Sequence, residues 1–196
     1  QTLALAFGQK GALGFTPSYS MHPIIAKVCG VNWFNGKRNS DFTLNLESAT
    51  AEIEKVRPSL VFVTTPNNPT GSSISNDELL GLAKACAKIG ALLVVDEAYE
   101  EFSKQASSVN LISQNVNVIV VRTMSKAFAL AGARVGYMIA DSKVIDASTG
   151  TGSFTVALSG LTNGTIYHFR AYAINSVGTS YGSDLTFTTF DKPTVT

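Results

Sequence analysis

Apolar and polar positions alternate in blocks over residues 14–147, and these blocks predict an α/β fold. Runs such as LVFVT, ALLVV and VIVV are apolar without alternation, which is typical of strands buried on both faces of a parallel sheet. Between these runs, apolar residues recur at helical spacing. The order of elements predicts a mostly parallel sheet with helices on both faces. The predicted strands cover residues 30–34, 60–65, 91–96, 116–122 and 136–140, and the predicted helices cover 21–28, 48–56, 75–89 and 142–147.

The third predicted helix carries both a start signal and a stop signal. Ser75 and Glu78 have the spacing of a capping box, in which the two side chains bind backbone N–H groups at the helix start. Gly90 follows the last apolar position, and glycine readily adopts the left-handed backbone that ends many helices.

The pattern changes after Ala147. Residues 148–152 read Ser-Thr-Gly-Thr-Gly, the composition of a flexible linker, and the remaining chain has alternating runs separated by Gly and Asn turns. Only two of the 15 Lys and Arg residues, Arg170 and Lys192, lie in this part. A domain boundary is therefore predicted near residue 150. The predicted parts are an α/β domain over 1–147, a linker over 148–152, a β domain over 153–190 with strands at 154–158, 165–174 and 185–189, and a tail over 191–196.

Composition narrows the possible functions. The 196 residues are 45% hydrophobic and 15% charged, which describes a globular chain, and the net charge of +1 provides no basic surface for nucleic acid. No apolar run is long enough to span a membrane. Cys29 and Cys86 lack CxxC or metal-ligand spacing, so both are predicted to be buried thiols, and no metal site is expected.

Polar motifs follow three of the predicted strands. Asn68 lies in the turn after the first of these strands, Asp96 and Tyr99 follow the second, and Lys126 follows the third. In an open α/β sheet, ligands bind in the crevice beyond the carboxyl ends of the strands. A lysine that can form a Schiff base, together with an acid that can hold a pyridinium nitrogen, suits a pyridoxal phosphate site.

These motifs, in this order and spacing, resemble the fold-type I aminotransferases, and most closely the histidinol-phosphate aminotransferase group. The resemblance covers about residues 1–147. It implies that Lys126, within TMSKAF, is the catalytic Schiff-base lysine, and that its amine moves a proton between substrate and cofactor. It also implies that Asp96 pairs with the pyridine nitrogen and that Tyr99 and Asn68 bind the cofactor's phenolic oxygen.

The same resemblance assigns the remaining cofactor-binding residues. Tyr19, within TPSYSMH, would stack on the pyridine ring, and Thr123, Ser125 and Arg134 would bind the cofactor phosphate. Arginine suits this task because its guanidinium donates two parallel hydrogen bonds to phosphate oxygens. Arg122 is a competing candidate, but Arg134 has the expected eight-residue offset from Lys126. His22 is interpreted as a plain loop histidine, with a position at the border of the substrate pocket as the alternative.

A second resemblance concerns the end of the chain. Residues 161–178 resemble the E–F turn and F strand of a fibronectin type III domain, with Tyr167 as its tyrosine corner, and residues 181–189 resemble strand G. The resemblance covers about residues 152–190, the last half of such a domain. It implies an extracellular setting for the tail, whereas the first resemblance implies a cytoplasmic, usually homodimeric enzyme.

Three functional hypotheses remain open. The first is transamination between histidinol phosphate and a 2-oxo acid, a step of histidine biosynthesis, and the second is the same chemistry on an aromatic amino acid. The third is a secreted binding or spacer protein, or a natural or artificial fusion, defined by the tail.

The family's phosphate-binding Gly-rich turn would precede Gln1, and its substrate arginine would come from a later small domain. The chain is therefore expected to be an inactive fragment that binds cofactor weakly.

Overall fold

The computed structural model describes residues 1–133, 135–144, 164–169, 172–175, 178–181 and 184–189. The chain forms two compact units, Gln1–Ala157 and Leu158–Thr196. No helix among the described residues is long and apolar enough to cross a membrane.

The first unit is built on a six-stranded, mostly parallel sheet. Its strand order is β2-β1-β3-β4-β5-β6, and only β6 is antiparallel to its neighbour. The predicted parallel sheet is thereby confirmed for the described residues. The strands are β1 (Ala12–Thr16), β2 (Trp33–Lys37), β3 (Leu60–Thr64), β4 (Leu92–Asp96), β5 (Val118–Thr123) and β6 (Gly136–Ala140).

Helices contribute to the packing on both faces of this sheet. One apolar cluster joins strand residues such as Val61 and Val95 to Ile53 and Leu82, which lie on two of the helices. The other cluster joins Leu60, Val94 and Ile119 to residues from other helical segments, Leu3 and Val144. Neighbouring strand residues thus belong to opposite clusters, which explains why these runs are apolar without alternation. The helices are α1 (Thr2–Phe7), α2 (Met21–Val28), α3 (Leu46–Val56) and α4 (Asn76–Ile89), and a further helix begins at Ser142.

The capping signals of α4 act as the sequence predicts. Ser75 Oγ accepts a hydrogen bond from Glu78 N–H, and the Glu78 carboxylate accepts one from Ser75 N–H at 2.8 Å. Gly90 ends the helix in the left-handed region at φ 72°. The helix therefore has satisfied donors at its start and a residue suited to its end.

The edge of the sheet differs from the prediction. The predicted strand 30–34 lies instead at Trp33–Lys37, because Gly30 and Val31 still close the end of α2 through bonds to the Lys27 and Ala26 carbonyls. Neither helix α1 nor strand β1 was predicted, because both lie before or at the start of the clear block pattern. Gly14 belongs to β1, where a Cβ would lie 2.4 Å from the Trp33 ring.

The second unit contains two antiparallel strand pairs among its described residues. Strands β7 (Ile166–Phe169) and β10 (Leu185–Thr188) form one pair, and β8 (Tyr172–Asn175) and β9 (Gly178–Tyr181) form the other. The single strand predicted over 165–174 is thus wrong, since its two halves pair in different sheets. The predicted strand 154–158 and the side chain of Tyr167 lie outside the described parts of the chain.

Candidate cofactor site

The candidate site lies where β3, β4 and β5 end. Asp96 is the last residue of β4, Asn68 lies in the turn after β3, and Lys126 lies in the turn after β5. All three strands are parallel and adjacent, so their carboxyl ends meet at one edge of the sheet. Arg134, the proposed phosphate-binding arginine, lies outside the described residues.

Asp96 is fixed by two hydrogen bonds. Its Oδ1 accepts from Ala98 N–H at 3.0 Å, and its Oδ2 lies 2.9 Å from His22 Nε2. The two paired side chains are only 10% and 12% exposed. The interpretation of His22 as a plain loop histidine is wrong, because His22 lies in the first turn of α2 and binds Asp96. Its spacing of three residues from Tyr19, at a helix start, is the signal that could have placed it near the site.

Tyr19 lies next to this pair. Its ring meets the His22 ring edge-on with centroids 5.4 Å apart, and its side chain remains exposed. On the other side, His22 packs against Phe62 at 5.1 Å and Trp33 at 6.5 Å. These aromatic side chains line a small cavity of about 220 Å³ between β1, β2 and α2. His22 thus joins the exposed Tyr19 ring to the buried Asp96 carboxylate, and an aromatic ring and a carboxylate are the two groups suited to hold a flat, nitrogen-containing ring.

Lys126 lies in a compact turn that two backbone hydrogen bonds hold together. Ala129 N–H bonds to the Lys126 carbonyl and Leu130 N–H bonds to the Met124 carbonyl, each at 3.0 Å. The Nζ atom lies 5.4 Å from the centre of the Tyr99 ring. Among the described residues, no carboxylate forms an ion pair with this amine. The amine is therefore available for chemistry in the crevice.

Thr123 and Ser125 lie just before Lys126. Ser125 N–H bonds to Thr123 Oγ1 at 3.1 Å, so the backbone already uses one of the threonine's acceptor sites. Both side chains are half-buried. Thr123 Oγ1 donates its proton to the Val135 carbonyl at 3.5 Å, so the Ser125 hydroxyl is the better placed of the two to bind an anion at this turn.

Asn68 and Tyr99 face a second, wider cavity of about 630 Å³. It lies between the turn of residues 66–73 and the segment of residues 99–105, and Lys104 also lines it. The structure therefore places two of the sequence-predicted residues in one crevice, and Lys126 approaches the same tyrosine.

A buried ion pair, which the sequence did not predict, connects the ends of β4 and β5. The Glu97 carboxylate, 1% exposed, accepts bonds from Arg122 Nη2 at 2.8 Å and Nε at 3.1 Å. Ser107 and Ser108 donate further bonds to it. Burial disfavours the Arg122 cation, but its hydrogen bonds to Glu97 and Tyr137 outweigh that effect and raise its pKa. Because this guanidinium is committed to Glu97, Arg122 is a poor candidate for binding phosphate.

Glu100 lies near that pair and has a perturbed pKa. Partial burial raises its pKa above 4.5, the repulsion from Glu97 raises it further, and the attraction of Arg122 opposes both. Glu97 therefore acts electrostatically on Glu100 as well as on Arg122.

The residues present fit pyridoxal phosphate. The Asp96 carboxylate has spare acceptor capacity beyond its two bonds, which suits a protonated ring nitrogen. The other polar groups around the same strand ends belong to the cofactor-binding residues named above. They are the Lys126 amine, which has no carboxylate partner among the described residues, the phenols of Tyr19 and Tyr99, the Asn68 amide, and the hydroxyls of Thr123 and Ser125. Among the described residues, no cluster of His, Cys, Asp and Glu is arranged to hold a metal ion.

Comparison with known proteins agrees with this chemistry. Residues 1–165 match the family described as aminotransferase class I and II. The chain belongs to this family, whose members of this kind depend on pyridoxal phosphate.

Two curated relatives share a narrower description. The chain is 51% identical over 150 residues to a histidinol-phosphate aminotransferase of Nocardia farcinica, covering 75% of this chain and 38% of the relative. A histidinol-phosphate aminotransferase of Mycolicibacterium vanbaalenii is 51% identical over 151 residues, covering 75% and 40%. The chain thus spans about two fifths of the length of the curated relatives it matches.

Solved structures give the same fold. The histidinol-phosphate aminotransferase from Clostridium acetobutylicum superposes with a TM-score of 0.67 at 28% identity, over 75% of this chain and 44% of that one. Thermus thermophilus aspartate aminotransferase with maleate also gives a TM-score of 0.67, at 25% identity, over 75% and 40%.

Proposed function

We propose that the protein transfers an amino group between histidinol phosphate and a 2-oxo acid, a step of histidine biosynthesis, with pyridoxal phosphate as cofactor. The observation that carries this proposal is the convergence of Asp96, Tyr99 and Lys126 at the carboxyl ends of β4 and β5. The names of the curated relatives favour histidinol phosphate over the alternative substrate class, an aromatic amino acid.

The cofactor would be held from several sides. Asp96, oriented by His22 and by Ala98 N–H, accepts a hydrogen bond from the protonated ring nitrogen. Tyr19 covers one face of the ring. The remaining contacts are hydrogen bonds to the phenolic oxygen from Asn68 and Tyr99, and hydrogen bonds to the phosphate from Thr123, Ser125 and Arg134.

The chain's own chemistry rests on Lys126. When bound, the cofactor supplies an electron sink that stabilises negative charge at the substrate's α-carbon. With the cofactor present, the Lys126 amine would hold it covalently, and as a free amine it would move a proton to and from that carbon. The compact turn of residues 124–130 restricts the positions that Nζ can occupy, so the amine would stay close to the substrate's α-carbon.

Borohydride labelling tests the central assignment. Borohydride reduces the bond between a lysine amine and the aldehyde of pyridoxal phosphate to a stable secondary amine. Peptide mass analysis of the chain treated with cofactor and borohydride should locate the label on Lys126. Lys126→Arg keeps the charge but removes the nucleophile, because guanidinium stays protonated near neutral pH. This variant should lose the label.

Lys104→Arg is the matched control. Lys104 is exposed and lines the same wide cavity as Tyr99, so it competes for the cofactor without the turn that holds Lys126. Lys104→Arg should retain full labelling. A label on Lys104, or equal labelling of Lys126→Arg and the parent, would show that Lys126 is not the cofactor lysine.

The substrate class has a separate test. Glutamate formed from 2-oxoglutarate reports amino-group transfer, with histidinol phosphate or tyrosine offered as donor, and very low rates are expected because the chain spans about two fifths of its relatives' length. Faster glutamate formation with histidinol phosphate supports the proposal. A preference for tyrosine would favour the aromatic alternative while leaving the role of Lys126 intact.

For the end of the chain, we propose a partial fibronectin type III-like domain over residues 153–190, separated from the enzyme part near residue 150. The antiparallel pairing of β7 with β10 supports this, since the corresponding F and G strands are neighbours in such domains. Limited proteolysis should cut first within residues 148–152. Initial cleavage inside the sheet of β1–β6 would contradict this boundary.

A further inference from the structure

Asn67 is a buried amide between two turns that carry proposed cofactor residues. Its side chain is 3% exposed, and it immediately precedes Asn68. Asn67 Nδ2 donates to the Pro17 carbonyl at 3.1 Å, and Asn67 Oδ1 accepts from Ser18 Oγ at 2.8 Å. Pro17 and Ser18 in turn immediately precede Tyr19. One side chain therefore ties the turn of Tyr19 to the turn of Asn68.

The two ends of the amide have distinct tasks. The carbonyl oxygen faces a hydroxyl, and the amino group faces a backbone carbonyl, so only the amide satisfies both partners. A carboxylate at this position would place an oxygen against the Pro17 carbonyl. The contact is therefore specific for asparagine and not only for a side chain of this size.

The same amide also holds its own turn. Asn67 Nδ2 donates to Thr70 Oγ1 at 2.7 Å, Asn67 N–H bonds to the Ser72 carbonyl at 2.8 Å, and Gly71 N–H bonds to the Asn67 carbonyl at 2.7 Å. Ser72 Oγ continues the network to the Phe42 carbonyl at 3.0 Å. The turn after β3 is thus fixed from within while it is linked to the turn after β1.

We propose that Asn67 is a positioning residue that sets the separation of Tyr19 and Asn68 across the cofactor crevice. It acts through the two turns that it joins. This inference rests on the proposed function, because that function assigns Tyr19 to one face of a bound ring and Asn68 to its phenolic oxygen.

The first test compares isosteric variants in equilibrium dialysis with pyridoxal phosphate. Asn67→Asp breaks the bond to Pro17, and Ser18→Ala removes the hydroxyl partner with little change of volume. Asn67→Asp should raise the Kd for pyridoxal phosphate about tenfold, because it loses the hydrogen bond to Pro17 that positions the two turns, and the loss of one hydrogen bond typically has an effect of about this size. Ser18→Ala should raise it less.

Asn117→Asp is the matched control. Asn117 Nδ2 also donates to two backbone carbonyls, those of Ala83 and Ala91. However, Asn117 lies just before β5, at the amino ends of the strands, whereas the candidate site lies at their carboxyl ends. The substitution should lower stability as Asn67→Asp does and leave the Kd within about twofold of the parent. An equal rise of the Kd in both variants would reduce Asn67 to a general structural role and overturn the proposal.

A double-mutant cycle separates positioning from stability. If Asn67 acts through Asn68, Asn67→Asp should weaken cofactor binding much less in an Asn68→Ala background than in the parent. Fully additive effects in both the Asn68→Ala and Tyr19→Ala backgrounds would overturn the proposal.

A readout without cofactor distinguishes failure of this inference from failure of the proposed function. Trp33 is the chain's single tryptophan, and it lines the small cavity together with Pro17, Ser18 and Tyr19. Acrylamide should quench Trp33 fluorescence more strongly in Asn67→Asp and Ser18→Ala than in the parent or Asn117→Asp. If the parent binds no pyridoxal phosphate, the proposed function fails, but unchanged quenching is what would overturn the role of Asn67.

Discussion

His22 Nε2 and Asp96 Oδ2 lie 2.9 Å apart, and this contact joins α2 to the end of β4. It orients the one carboxylate that the proposed function assigns to the cofactor's ring nitrogen. Because His22 also packs against Phe62 and Tyr19, the orientation of the carboxylate is coupled to the aromatic side chains around it.

Replacing His22 should separate its hydrogen bond from its packing. His22→Phe keeps an aromatic ring beside Phe62 but leaves Asp96 Oδ2 without this partner, so the free energy of unfolding should fall by about 1–3 kcal/mol. His22→Gln retains an N–H donor and should lose less. Urea denaturation measures both variants, and cofactor dialysis should show the same order. A larger loss for His22→Gln than for His22→Phe would mean that packing, and not the bond to Asp96, dominates.

The Glu97–Arg122 pair should behave as a coupled unit. Arg122→Met leaves a buried carboxylate with only Ser107 and Ser108 as partners, and removing one member of a buried pair typically costs about 3–5 kcal/mol. Arg122 is 19% exposed, so the lower end of that range is expected. The double variant Glu97→Gln/Arg122→Met should lose clearly less than the sum of the single losses in urea denaturation. Additive losses would show that the two side chains contribute independently.

The sheet could be predicted from sequence because its strands are buried on both faces. Apolar runs such as those of β3, β4 and β5 leave few alternatives, and the boundaries of α4 follow from the capping residues Ser75 and Gly90. The edge strand β2 was misplaced because its exposed positions weaken the pattern, and because the closing bonds of α2 extend to Val31.

The candidate site was only partly predictable. Asp96 and Lys126 follow strands whose ends must meet at one edge, so topology alone brings them together. The contacts of His22 and of Glu97 depend on side-chain directions across elements distant in sequence. Local pattern carries no information on such pairings, and for this reason His22 was misinterpreted and the pairing of Glu97 was missed.

The capping box of α4 should contribute measurably to stability. Ser75→Ala removes the acceptor for Glu78 N–H and also the Ser75 Oγ contact to the Glu78 carboxylate at 2.6 Å. The free energy of unfolding should fall by about 1 kcal/mol. Ser113→Ala is a suitable control, because Ser113 is exposed and makes one bond, of 3.3 Å, to the Asn110 carbonyl. Equal effects of the two substitutions in urea denaturation would argue against a specific role of the cap.

Cys86 and Cys29 should differ in reactivity, although the sequence predicted that both are buried. Cys86 lies in the core, whereas Cys29 is only half-buried at the end of α2, so the prediction for Cys29 is wrong. Burial raises the pKa of Cys86 from 9.0 to about 12. Since the thiolate is the nucleophile, iodoacetamide at pH 8 should modify Cys29 in the folded chain and both thiols in urea. Peptide mass analysis reads out the sites.

The same shift predicts how stability depends on pH. Between pH 9 and about 12 the unfolded chain releases the Cys86 proton while the folded chain retains it. The folded state then binds more protons, so the free energy of unfolding should fall as the pH rises through this range. Cys86→Ala lacks the titrating group, so its stability should fall less steeply with pH than that of the parent, whatever it loses in packing. Rapid modification of Cys86 in the folded chain, or parallel pH profiles for parent and Cys86→Ala, would show that this thiol is not held protonated by burial.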